Sequence, residues 1–193
     1  MVIGTKISSF LLPACILFTL FGCQKISDTY STTPAITFKS YSLTSTLDST
    51  GQIDYKIKLT ISFTDGDGDI GLDSGQNTGV FGPSSPYFNN LWVGYYEDYH
   101  GQFVHVWPTF PSIPIGSNPL DTLNYNGRIP NVTPVGKNKA ITGDINYNLD
   151  LGPGTISARN AGLTGGTIKF NFILYDRALH RSNLVESPEI ALQ

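Results

Sequence analysis

Ten residues of this chain carry the densest chemistry in it: Thr64-Asp65-Gly66-Asp67-Gly68-Asp69-Ile70-Gly71-Leu72-Asp73. Carboxylates at alternate positions, with glycines between them, let a tight loop turn its oxygens toward one point. Calcium is a hard cation that takes six to eight oxygen ligands, and loops of this kind provide them. Without a counter-ion, clustered aspartates repel one another. The sequence therefore predicts a structural calcium site with Asp65, Asp67, Asp69 and Asp73 as candidate ligands. A solvated acidic turn is the alternative, because Asp and Gly are also favoured turn residues.

Two other patterns fail on this stretch. Gly66-x-Gly68-x-x-Gly71 reads literally as a dinucleotide fingerprint, but the interleaved aspartates oppose a pyrophosphate and no amphipathic helix follows. The EF-hand spacing fits Asp65, Asp67 and Asp69. Ile70 then stands where glycine is required, and Gln76 where the bidentate glutamate belongs. A second loop, Asp176-Arg177-Ala178-Leu179-His180-Arg181-Ser182-Asn183, adds Asp176 as a candidate ligand. In an immunoglobulin-like strand order this loop lies at the same end as the first. Asp176 is then either a fifth ligand or the ion-pair partner of Arg177.

Elsewhere the catalytic inventory is thin. The histidines are His100, His105 and His180; the glutamates are Glu97, Glu186 and Glu189. No zinc spacing, nucleophile elbow or H-E-x-x-H pattern is present. Glu97 and Asp98 are neighbours on a strand and face opposite ways, so they cannot form a glycosidase pair with each other. No catalytic residues are assigned, and the chain is expected not to be an enzyme. The aromatic cluster Trp92, Tyr95, Tyr96, Tyr99, Phe103 and Trp107 offers a different chemistry. Trp92, Gly94, Tyr96 and Asp98 share one strand face; Leu91, Val93, Tyr95 and Tyr99 share the other. One set belongs to the core, and an exposed set including Trp92, Tyr96 and Trp107 could stack on sugars or on a partner protein.

The elements that must position these groups are strands. Ile53, Tyr55, Ile57, Leu59, Ile61 and Phe63 alternate with polar residues, which is the period of a half-buried strand. Further strands are predicted over 36–47, 91–99, 102–107, 140–149, 167–175 and 184–192, with a hairpin turn at His100-Gly101. The stretches 73–90 and 108–139 read as loops or irregular edges. Charged residues are only 14% of the chain, while the 20 glycines and 12 prolines supply many turns. The expected fold is all-β: a single immunoglobulin-like sandwich of about seven or more antiparallel strands with long irregular loops.

The N-terminus reads as a targeting segment. Lys6 precedes a mostly apolar run to Phe21, and Leu20-Phe21-Gly22-Cys23 fits a lipobox. The Cys23 thiol would accept diacylglycerol, and small Gly22 would admit the peptidase. Cys15 is a poorer acceptor because too short an apolar run precedes it. The apolar run is also short for a membrane span of ~20 residues. The expected organisation is a signal peptide over 1–22, a flexible tether over 23–34 and a sandwich over 35–193. Loss of residues 1–22 removes one lysine, takes the net charge from −3 to −4 and leaves no basic stripe for nucleic acid. The remaining chain has Cys23 as its one cysteine and so forms no internal disulfide.

The motifs TDGDGDIGL and YDRALHRSN, together with the lipobox, resemble a group of uncharacterised lipoproteins of Bacteroidota-type bacteria. The second motif is also similar to the D-x-A-G-N-x-S turn of bacterial Ig-like domains, with Leu179-His180 where that pattern has Gly-Asn. The resemblance implies an immunoglobulin-like or fibronectin-like sandwich held to an envelope membrane through lipid on Cys23. It places the chain at the outer membrane or cell surface, with a periplasmic face also open. Two functions follow as expectations. One is a non-enzymatic binding, adhesion or assembly module with a protein or glycan ligand; the other is a carbohydrate-binding or accessory glycan-handling lipoprotein.

Overall fold

The computed structural model describes residues 30–51, 53–99, 101–105, 125–135, 139–152 and 166–192. They form eight strands: β1 (Ala35–Leu47), β2 (Ile53–Asp65), β3 (Leu91–Tyr99), β4 (Gln102–His105), β5 (Ile141–Leu151), β6 (Thr167–Leu174), β7 (Val185–Glu186) and β8 (Ile190–Ala191). One sheet has the order β1-β2-β5. The other has β4-β3-β6-β7, with β8 also pairing β6, and all pairings are antiparallel.

The alternating residues build one core between the two sheets. Ile57, Leu59, Ile61 and Phe63 of β2 meet Leu91, Val93 and Tyr95 of β3 and Ile168, Phe170, Phe172 and Leu174 of β6 in a single buried cluster. Phe38 of β1 and Phe172 of β6 stack across the layers, with ring centroids 6.1 Å apart. The all-β prediction holds, as do the alternating faces of β2, β3 and β6.

Two of the predicted elements end differently from expectation, each for a visible reason. First, β2 runs on to Asp65, which takes the next core-facing position after Phe63 and is fully buried. Second, the predicted strand over 184–192 is two short strands. Pro188, which has no N–H, follows Ser187, whose N–H and hydroxyl instead bond the backbone of Phe170. Within the stretch read as loops or irregular edges over 108–139, residues 125–127 do form an edge: Leu91 and Gly127 exchange N–H···O bonds of 2.9 and 2.8 Å, and the Tyr125 N–H reaches the Val93 carbonyl. At the far end of β2, Ile53 is 44% exposed although it lies on the apolar face.

Candidate metal centre

Asp65 comes to its place by strand alternation, and the loop then folds back on it. Its Oδ2 accepts the Asp69 backbone N–H at 3.0 Å, closing a tight turn. Asp69 in turn binds the second loop: its carbonyl accepts the Arg177 N–H at 3.2 Å and its Oδ2 the Ala178 N–H at 3.1 Å. An isolated bridge between Ile70 and Asp176 completes the juxtaposition.

Three carboxylates therefore converge from two loops 107 or more residues apart. Asp65, Asp69 and Asp176 each offer an oxygen, and these oxygens all lie within 4.8 Å of one another. Asp65 is 0% and Asp176 2% exposed. Oδ1 of Asp65, of Asp67 and of Asp69 are buried without a hydrogen-bond partner. Buried polar atoms are paired as a rule, so these three oxygens keep acceptor capacity that no protein donor here takes up. This buried acidic group can hold a metal ion.

The electrostatics agree. Burial, reinforced by the neighbouring Asp67 and Asp69 carboxylates against one backbone N–H, pushes the Asp65 carboxyl up to about 6. Asp69 is also raised, first by burial and then by Asp176 and Asp67, with Arg177 opposing. Arg177 does not neutralise the group by contact. Its guanidinium donates to the Gly71 carbonyl at 3.1 Å, Asn131 Oδ1 at 2.8 Å and Thr133 Oγ1 at 2.5 Å. Among the described residues the ion-pair contact to the triad is His180, whose Nδ1 lies 2.9 Å from Asp176 Oδ2. Its hydrogen bond to Asp176 and that carboxylate's charge raise the His180 pKa.

The loop glycines are explained by neighbours as much as by the turn. A Cβ on Gly66 would fall on the carbonyl oxygens of Tyr30 and Ser31, one on Gly68 on that of Lys139, and one on Gly71 on that of Pro130. Gly68 and Gly71 also have left-handed φ values of 65° and 90°. In the second loop Leu179 has φ 68°, the left-handed conformation that glycine would adopt freely. A leucine holds this conformation at a cost of about 1–2 kcal/mol.

The remaining sequence-predicted residues are placed as follows. Asp67 contributes a buried, unpartnered Oδ1 and lies outside the mutually close triad. Asp73 also lies outside the triad: it is exposed, and its Oδ2 accepts from Asn131 Nδ2 at 3.0 Å. The Asp176–Arg177 ion pair does not form; Asp176 joins the carboxylates. Trp92 and Tyr96 occupy the outer face of β3, both half-buried. The Trp92 ring packs 5.2 Å from Tyr175 and its Nε1–H reaches the Asn89 carbonyl, while Tyr96 stacks on His105 at 4.9 Å and its hydroxyl accepts from Asn171. Cys23 and Trp107 lie outside the described residues.

Sequence reasoning missed Ser31, Asn183 and His180. The Asn183 side chain pairs with both backbone groups of Ile36, accepting its N–H at 2.9 Å and donating to its carbonyl at 2.8 Å. Nothing in the local pattern around 31 or 183 signals these contacts, which span 35 and 147 residues. His180 carried a signal, since it lies four residues beyond Asp176. Comparisons with protein-family models, with curated proteins and with solved structures return no match.

Proposed function

We propose that this chain is a lipid-anchored module of the cell envelope, an immunoglobulin-like sandwich braced by calcium at one end and acting without catalysis in binding, adhesion or assembly. The observation that carries the calcium reading is the convergence of Asp65, Asp69 and Asp176 with a fully buried, unpartnered Asp65 Oδ1. The donors are all carboxylate oxygens, which suit a hard cation over zinc or copper. A cation at this point relieves the repulsion and supplies the missing partners. It also joins β2 to the turn after β6, which is a bracing role. The lipid anchor rests on the lipobox ending at Cys23 and the short apolar run before it.

Calcium binding to the folded state raises stability by about 2.7 kcal/mol at a hundredfold excess over Kd. Thermal melts of wild type should therefore shift upward with calcium and downward with EGTA, and Asp65→Asn should remove the difference. Melting curves that coincide with and without chelator would sink the calcium reading. Radiolabelled palmitate incorporated by wild type and lost in Cys23→Ser tests the anchor separately.

The carbohydrate reading has one observation in its favour. On the outer face of the second sheet, Tyr96, Phe103, Lys169, Asn171 and Glu186 line a shallow groove that sets ring surface beside an ammonium, an amide and a carboxylate. Glycan-array binding that disappears in Tyr96→Ala would favour it.

A further inference from the structure

The two acidic loops do more than face each other: each also holds the segment that leads into β1. The Gly66 N–H, between Asp65 and Asp67, donates to the Ser31 carbonyl at 2.8 Å. On the other side the His180 ring lies against the Thr32 carbonyl, and Asn183 pairs with both backbone groups of buried Ile36. Pro34 between them is buried. Residues 30–36 are thus gripped by one loop from each side of the carboxylate triad, although the sequence alone predicts tether as far as 34.

We propose that the cation held by Asp65, Asp69 and Asp176 clamps residues 30–34 onto the sandwich, so that its loss releases the root of the chain leading back to Cys23 while the sheets, β1 from Ala35 included, stay folded. The proposal rests on the cation reading above. Its physical basis is mutual repulsion: without a cation the Asp69 and Asp176 carboxylates push the loops apart, and each loop carries its own half of the grip. Release would move the first residue held to the body from Tyr30 to Ala35, where β1 begins. At ~3.3–3.6 Å per extended residue these five residues add about 17 Å of reach. The calcium site would then set how closely the domain is held to the anchor.

Coupling of this kind is reciprocal: whatever the cation does for docking, docking does for cation affinity by the same factor. Gly66→Ala isolates it. Gly66 lacks a left-handed φ, so alanine suits its backbone, and the three atoms nearest the added Cβ all belong to Tyr30 and Ser31. The experiment is amide hydrogen exchange by mass spectrometry on the whole mature chain, in calcium chloride and in EGTA, with calorimetric titration of calcium on wild type and Gly66→Ala.

EGTA should speed exchange at least about fivefold in peptides covering 30–37, 65–72 and 176–183, and leave β6 protected. Gly66→Ala should show the faster 30–37 exchange even in saturating calcium and bind calcium at least about fivefold more weakly. If the two loops respond to calcium and 30–37 does not, the clamp is overturned and the cation site stands. If Gly66→Ala binds calcium as wild type does, the coupling is overturned. If no heat of binding and no protection appear anywhere, the cation reading fails and the clamp falls with it.

Discussion

The carboxyl of Asp65 sits where a strand of alternating hydrophobes would put its next apolar side chain, and burial there disfavours its charged form. With its pKa at about 6 against an ordinary 3.8, the folded chain binds more protons than the unfolded one between those values. Stability from this group is therefore fully present below about pH 4 and is lost as pH rises through about 6, at a cost on the order of 2 kcal/mol. In EGTA, denaturant midpoints should fall across that window, and Asp65→Asn should flatten the decline. Calcium should flatten it too, because the cation supplies the positive charge that the proton otherwise provides. A chelated wild-type midpoint that rises from pH 4 to 6 would show that the carboxyl is not held above its usual range.

At the scale of elements, the acidic loop is shaped by the backbones pressed against it. Gly71 combines a φ of 90° with contact to the Pro130 carbonyl, whereas Gly75, four residues on, has open space around its Cβ position and no positive φ. Gly71→Ala must adopt a strained backbone and displace the 129–131 segment, which accepts the Leu72 N–H at the Ile129 carbonyl. It should cost more than about 2 kcal/mol. Gly75→Ala should leave the melting temperature unchanged or slightly higher, since it only restricts the unfolded chain. Equal melting temperatures for the two variants would contradict the close approach at Gly71. The broken last strand has a local cause as well: β7 ends because the Ser187 hydroxyl accepts the Phe170 N–H and Pro188 has no N–H to give.

For the whole molecule, the two sheets cohere through a small set of rings and branched side chains. Phe172 is fully buried on β6, between Phe38 of the opposite sheet and Phe170, whose ring centroid lies 6.5 Å away. Phe172→Ala should destabilise by about 3–5 kcal/mol, read as a lower denaturant midpoint. With calcium present the loss should be the same in magnitude, because its ring partners Phe38 and Phe170 lie on strands and not on the acidic loops, and independent sites add. A calcium-dependent penalty would mean that core and metal centre are one cooperative network.

Much of this was legible in the chain alone, because its signals are local. Period-two alternation fixed β2, β3 and β6 and their inward faces, and the spacing of Asp65, Asp67 and Asp69 marked the loop. An assumed strand order even brought Asp176 to the right end. Other features could not be read locally. Asp73 shares the loop's composition, yet one more turn carries it to Asn131. Gly66, Gly68 and Gly71 look like turn residues, but three separate backbone segments require them. Arg177 stands beside Asp176 in sequence and turns its charge to Gly71, Asn131 and Thr133. Sequence by itself determined the strands and the acidic character of one end, since backbone periodicity and side-chain charge are properties of neighbours. Only the tertiary structure decided which carboxylates converge and which oxygens are left unpartnered, because that depends on contacts between segments more than a hundred residues apart.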